Sequence, residues 1–369
     1  MINDLVINFD LGVSALGHLI SAVQFGFIIG TLLFAILTIA DRFSPSKVFL
    51  VSALVGSLFN LGVIWEANNL LSLLTLRFFT GFFLAGIYPV GMKIAADYYE
   101  KGLGKSLGFL VGALVLGTAL PHLLSEMTFL YSWKSVLITT SLLGVLGGLL
   151  MLILVPDGPF RKQSKRTDLS AFFSVFHNLK FRSVAFGYFG HMWELYAFWA
   201  FIPIMLKKYS LEHPQVIFNI PLLSFLIIGV GAMGCIFSGY LSQVLGTKRT
   251  AFMALLLSCG CCLISPWVFT SEFESLFLGF LIFWGIVVIA DSPLLSTLIA
   301  QNAPAEMKGT ALTIVNCIGY SITIISIQIM TMMIKLTDSN SIYIILALGP
   351  ILGLIVLRRK TMGVLSHNL

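Results

Sequence analysis

Charge is what this sequence has least of. Only 10% of its 369 residues are Asp, Glu, Lys or Arg, 58% are hydrophobic, and the mean hydropathy is +0.97. A soluble domain carries about a quarter of its residues as charges, so a soluble globular fold is excluded. The alternating dyads of an outer-membrane barrel, about ten residues each, are missing. No phosphate-binding glycine loop and no nucleophile with its base is present, so the sequence does not read as an enzyme. The five cysteines, Cys235, Cys259, Cys261, Cys262 and Cys317, lie in apolar runs. The cluster CGCC has neither a His partner nor zinc spacing, so no metal and no cofactor is expected. The opening MINDLVINFDLG holds two acids and no basic residue and is not a signal peptide. The net charge of +6 is not gathered with aromatics into a patch, which argues against nucleic acid as a partner.

What the chain does have is long apolar runs. Each is about 18 residues or more, enough to cross a hydrocarbon core of about 30 Å as a helix. Eleven are expected, near 16–40, 48–66, 72–97, 103–127, 133–155, 183–207, 217–244, 249–268, 275–299, 307–335 and 341–358. Only helices and closed barrels satisfy the backbone in lipid, so the fold class is all-α, a polytopic membrane helix bundle. Of the 22 Lys and Arg, 16 fall in alternate connections, from Arg42 and Lys47 through Lys165 and Arg166 to Arg358, Arg359 and Lys360. The positive-inside rule makes those connections cytoplasmic, with the C-terminus inside and the N-terminus outside. The longest connection, 156–182, contains PDGPFRKQSKR and separates a half of five spans (1–155) from a half of six (183–369). A weak internal repeat at an offset of about 204 residues sets GIYPVGMKIAADYYEKG against ADSPLLSTLIAQNAPAE, with Pro89 on Pro293.

The loop ADRFSPSK, residues 40–47, places three charges in eight positions between two apolar runs. With its preceding helix it resembles the signature between the second and third helices of the major facilitator superfamily; Asp41, Arg42 and Lys47 match that signature. RFFTGFFLAGIYP resembles the superfamily's fourth helix, and SLGFLVGALVLGTALP its Gly-rich fifth. GIYPVGMKIAADYY and GHMWELYAFWAFIP look like bacterial permeases compared with nitrate/nitrite and cyanate transporters. The spans matching the arginine-bearing helices of nitrate porters contain no Arg or Lys, so nitrate itself is not expected. The resemblance implies two bundles rocking about a midplane site. It also implies that Asp41, Arg42 and Lys47 form a cytoplasmic latch, engaged in one state and released in the other. On this alignment the first half supplies family helices two to six, so a first family helix is expected to be absent from the 369-residue chain.

An ionisable side chain near the bilayer centre costs at least about 2.5–3.5 kcal/mol, so each needs a partner or a purpose. Glu194 lies midway along the family's seventh helix, among Trp193, Tyr196, Phe198 and Trp199. Such surroundings disfavour the charged form, as a proton carrier working near neutral pH requires. His191, one turn earlier, is placed to share that proton. Asp291, before Pro293, is either a second proton or cation site or a cap on the broken turn. Arg77 and Tyr88 share a stripe of the fourth helix and are candidates for the substrate or proton pathway, Arg77 either to hold an anionic substrate or to pair with a carboxylate during proton transfer. Lys93 and Asp97 read as a snorkelling pair at the interface. Gln24 and His122 are weaker polar candidates. The function expected is secondary transport of a small anionic or zwitterionic solute by a monomer in the inner (plasma) membrane, driven by the proton gradient or by the solute's own. An exporter of drugs or metabolites and a membrane sensor without flux are the alternatives.

Overall fold

The computed structural model describes residues 8–11, 15–126, 133–162, 175–337 and 339–358. Lys165, Arg166, Arg359 and Lys360 lie outside the described residues, as do the first seven positions of the chain. Among the described residues the regular structure is helical throughout. The helices are α1 (Ala15–Ile36), a short turn α2 (Ile39–Arg42), α3 (Pro45–Gly62), α4 (Leu70–Leu84), α5 (Tyr88–Tyr98), α6 (Leu103–Glu126) and α7 (Trp133–Leu154). After the central segment come α8 (Leu179–Glu212), α9 (Ile220–Gly229), α10 (Gly231–Leu245), α11 (Thr247–Phe269), α12 (Glu274–Ala290), α13 (Ser292–Asn302), α14 (Lys308–Leu336) and α15 (Leu348–Arg358). A 3₁₀ stretch, Asn340–Ala347, leads into α15.

Nine of these rods, counted among the described residues, are long and apolar enough to cross a membrane; Ser21–Ile36 is a shorter apolar helix. The 34-residue α8 completes the eleven expected rods, with His191 and Glu194 at its middle. Large apolar side chains such as Leu58, Leu143, Ile153, Met233 and Trp267 face outward, the arrangement that lipid favours and water does not.

Three rods are broken. The third helical run splits between α4 and α5, and the ninth between α12 and α13. Proline stands at the second position of each new segment, Pro89 and Pro293, and each segment is 11 residues long. Proline has no N–H to give the carbonyl one turn back, so the ladder opens there. At the second break that carbonyl, Ile289 O, is met instead by Cys235 Sγ at 3.6 Å. The two segments begin at matching places of the internal repeat, about 204 residues apart. The third break, at Val230 between α9 and α10, has no proline.

Packing depends on small residues where backbones meet. A Cβ on Gly26 of α1 would fall 1.9 Å from Phe78 O, and one on Gly81 of α4 would fall 1.9 Å from Val23 O. No side chain fits there, so α1 and α4 lie in direct backbone contact. Helices before and after the central segment meet along two seams. One joins α1 and α5 to α14, and the other joins α6 to α9, α10 and α13. The largest apolar cluster surrounds α8, from Leu195 to Tyr209, with Trp284, Phe277 and Ile227.

Candidate translocation cavity and latch

Between the two seams lies a cavity of about 290 Å³. Its walls come from α1 (Val23, Gln24, Phe27, Ile28), the α4–α5 break (Leu84, Ile87, Tyr88), α6 (Leu114), α8 (Tyr196) and α14 (Tyr320, Thr323). Both groups of helices contribute. Tyr196 Oη and Tyr320 Oη are 2.6 Å apart, and Phe27 packs edge-on against the Tyr320 ring at 4.6 Å. The polar groups offered to a ligand are thus three phenols, one amide and one hydroxyl, set in an apolar wall. Among the described residues no charged side chain lines it.

Behind the Tyr196 wall sit the ionisable groups. Glu194 is buried and its Oε1 accepts three hydrogen bonds, from Trp284 Nε1 at 2.7 Å, from Cys262 Sγ at 3.2 Å and from Ser258 Oγ. Three donors converging on one oxygen hold this carboxylate in place and offset the cost of burying it. Asp291 fills the break between α12 and α13, where its carbonyl accepts from Leu294 N and Leu295 N. Its carboxylate faces His191, with Nδ1 2.8 Å from Oδ1. Tyr188, one turn before His191, donates to Asn316 Oδ1 at 3.1 Å.

The third polar cluster closes one end of the seam between α1 and α14. Asp41 in α2 is buried. Its Oδ1 accepts from Gly309 N at 3.0 Å, and its Oδ2 from Thr310 N at 2.6 Å and Thr310 Oγ1 at 2.7 Å. These are unpaired donors of the first turn of α14, where the helix dipole favours an anion. Lys93, fully buried, lies 3.7 Å from Asp41 Oδ1 and is bonded to both oxygens of Asp97. Gly309 admits this contact, because a Cβ there would lie 2.9 Å from Ala40 Cβ and 3.0 Å from Asp41 Oδ1. The rest of the loop is tied down locally by Ser44 Oγ to Asp157 Oδ1 at 2.7 Å and Ser46 Oγ to Val155 O at 2.6 Å. From Ile28 in the cavity to Asp41 the chain runs about 20 Å at 1.5 Å per helical residue.

The Major Facilitator Superfamily profile matches residues 1–327, most of the chain. The chain belongs to the major facilitator superfamily. Solved members share its fold. The E. coli fucose:proton symporter FucP, as an asparagine-to-alanine variant, superposes with a TM-score of 0.72 at 16% identity, covering 98% of this chain and 95% of that one. FucP in its outward conformation gives 0.73 at 16% identity with the same coverage. The human organic anion transporter MFSD10 (TETRAN) gives 0.72 at 18% identity over 97% and 88% of the two chains. No curated protein matches the chain. The resemblance to the superfamily is thereby confirmed as membership, and the chain is a multi-pass membrane protein of a transporter family.

Of the residues expected from sequence, the superfamily fold brings Tyr88, Tyr196 and the weaker candidate Gln24 into the cavity wall. Glu194, His191 and Asp291 stand behind it, and Trp193 turns away to donate from Nε1 to Ile345 O at 3.0 Å. Arg77 is half-buried on α4, outside the lining, and its buried Nε has no hydrogen-bond partner. Two expectations need correction. His191 pairs with Asp291 rather than sharing a proton with Glu194, because Glu194 is already taken by donors from α11 and α12. Lys93 and Asp97 do not snorkel at an interface, since α14 covers them and Asp41 draws Lys93 inward. Of the three residues expected in a latch, Asp41 reaches across the seam; Arg42 lies over the Phe43 ring at 5.6 Å, and Lys47 is exposed. The residues missed from sequence are Tyr320 and Thr323 in the cavity, and Lys93, Gly309 and Thr310 in the latch. The signal for the latter was present: KGT opens α14 with two small residues, the pattern of a helix start built to receive an anion.

Proposed function

We propose that this protein is a secondary transporter that binds a small, uncharged, hydroxyl- or amide-bearing solute in the tyrosine-lined cavity and moves it by alternating access. The observation that carries this reading is the lining itself: three phenols, Gln24 and Thr323 offer hydrogen-bonding groups from both groups of helices, and none of the described lining residues is charged. At about 290 Å³ the cavity is at the small end of ligand sites, the size of a single sugar ring or a comparable metabolite. The anionic or zwitterionic solute expected from sequence would need a cation in this wall, and Arg77 stands outside it. Fucose as the solute of one structural neighbour agrees with an uncharged ligand, and the organic anion of the other does not.

The helices up to α7 and from α8 onward act as the two moving bodies in this proposal, with residues 156–182 between them. The latch side is cytoplasmic by its charge, since Lys47, Lys101, Lys105, Lys248, Arg249 and Lys308 flank it. With Asp41 seated on α14 the cavity is closed toward that side. Thermal stability in detergent against monosaccharides and polyols on one hand, and nitrate, cyanate and small carboxylates on the other, tests the solute class. A shift with a neutral solute that is lost in Tyr320→Phe supports the reading, and a shift with anions alone overturns it.

A further inference from the structure

The seam between α6 and α10 is built differently from the one that carries Asp41. Backbone meets backbone there: a Cβ on Gly108 would fall 2.6 Å from Cys235 O, and one on Gly239 would fall 2.9 Å from Gly104 O. Such close approach sets the outer faces of α6 and α10 side by side. On α10 the exposed residues Met233, Phe237, Tyr240 and Val244 fall at i, i+4, i+7 and i+11, one stripe of a helix. On α6 the exposed residues Phe109, Ala113, Leu116 and Leu120 repeat that spacing. The rings of Phe109 and Tyr240 join the two stripes, edge to face with centroids 6.3 Å apart. At 1.5 Å per residue each stripe runs about 16 Å, close to half of a hydrocarbon core of about 30 Å. The strip is one leaflet tall and straddles the boundary between the two groups of helices.

Its latch-side end is basic. Lys105 of α6 reaches across the seam and lays Nζ over the Tyr240 ring, 4.5 Å from the centroid, so a cation stands at the head of both stripes. Lys101, four residues earlier, is exposed, as are Lys248 and Arg249 in the first turn of α11, just past the end of α10. Gln243 of α10 brings its Nε2 beside Gly102. Glu100, also exposed, is the nearest acid in the chain. Among the described residues none of these four cations forms an ion pair. Cations without counter-charges, set at a membrane surface over an open apolar strip one leaflet long, are complementary to a phospholipid with a net negative headgroup.

We propose that this strip binds one anionic phospholipid of the latch-side leaflet, its phosphate held by Lys101 and Lys105 and its chains laid over the Phe109–Tyr240 contact, so that a single lipid bridges the two groups of helices. Parting α6 from α10 splits the site. The bound lipid therefore favours the form with this seam closed, because a ligand shifts an equilibrium toward the state it binds better. That consequence rests on the alternating-access reading above; the binding itself does not.

The test is native mass spectrometry of the full chain in detergent, titrated with dioleoyl phosphatidylglycerol. Dioleoyl phosphatidylcholine serves as the zwitterionic lipid with the same chains, and inorganic phosphate as the anion without chains. The wild type is expected to hold one phosphatidylglycerol about tenfold or more tightly than phosphatidylcholine. Lys101→Gln and Lys105→Gln are each expected to weaken phosphatidylglycerol about fivefold, and the double variant about 25-fold, with phosphatidylcholine unaffected. Removing as much charge from α8, with Lys180→Gln and Arg182→Gln together, is expected to leave phosphatidylglycerol binding as it was. All of these residues but Lys105 are exposed, and matching unfolding temperatures without lipid show that the variants keep the fold. Equal binding of the two lipids, or undiminished phosphatidylglycerol in the double variant, overturns the proposal. So does displacement of the lipid by inorganic phosphate, which makes this a site for a free anion. Specific binding that leaves the spacing of spin labels at Lys47 and Glu306 unmoved upholds the lipid site and refutes the bias toward the closed form.

Discussion

Asp41→Asn is the substitution whose consequence follows most directly from the structure. The carboxylate takes three hydrogen bonds from the first turn of α14, two from backbone N–H groups and one from the Thr310 hydroxyl. An asparagine retains one acceptor oxygen. If that oxygen keeps Thr310, the amide NH₂ points at Gly309 N–H, donor against donor, and Lys93 loses the neighbour at 3.7 Å. A hydrogen bond to a charged group is worth about 1.5–3 kcal/mol net, and the helix-terminus term adds up to about 2 kcal/mol. Part of the sum survives in the asparagine, so a loss of about 3 kcal/mol is expected in the closed state only. That changes the ratio of open to closed forms by about two orders of magnitude. Spin labels at Lys47 and Glu306, both exposed and flanking the latch, read this as a distance distribution. The wild type is expected to give one short population and Asp41→Asn a dominant longer one. An unchanged distribution would mean that Asp41 only fixes the loop and does not act as a latch.

Tyr320→Phe removes the 2.6 Å contact to Tyr196 and one of the cavity's phenols, and is expected to weaken solute binding by about five- to tenfold in a titration of intrinsic fluorescence; unaltered affinity would move the site elsewhere. Gly81→Ala forces a Cβ to within 1.9 Å of Val23 O, so α1 and α4 must separate, with about 1–3 kcal/mol of stability lost and a lower unfolding temperature in detergent. Glu194→Gln keeps the shape but weakens the bonds from Ser258, Cys262 and Trp284, and is expected to lower the unfolding temperature by a few degrees; a stabilised variant would contradict the holding role assigned to this carboxylate.

The rods and their order were legible in the sequence because the bilayer imposes a length and a hydropathy that few alternatives satisfy. The expected span 103–127 became Leu103–Glu126, and 133–155 became Trp133–Leu154. The broken turn before Pro293 was legible too, and Pro89 was legible as its partner in the repeat, whereas the break at Val230, which has no proline, was not. What the sequence withheld was which ionisable residue faces which. Glu194 and His191 sit one turn apart on α8, yet one turns to α11 and α12 and the other to the α12–α13 joint, a choice made by Ser258, Trp284 and Asp291 from distant parts of the chain. Lys93 looked like a snorkelling residue because the snorkelling reading needs only its neighbour at one helical turn; the burying surface, α14, begins more than two hundred positions later. Tyr320 carried no signal at all, since an isolated tyrosine in an apolar helix is indistinguishable from packing until Tyr196 is seen opposite it.

The central claim is that the tyrosine-lined cavity opens alternately to the two sides of the membrane, with the Asp41 contact deciding which. Thr323→Cys places a reporter in the cavity wall, and the native cysteines Cys235, Cys259, Cys261, Cys262 and Cys317 are all buried. Labelling of oriented vesicles with a membrane-impermeant thiol reagent measures access directly. Modification from the side opposite the latch in Thr323→Cys alone, shifting to the latch side when Asp41→Asn is added, is the result this account predicts. Access from the same single side in both forms, or from neither, would contradict it.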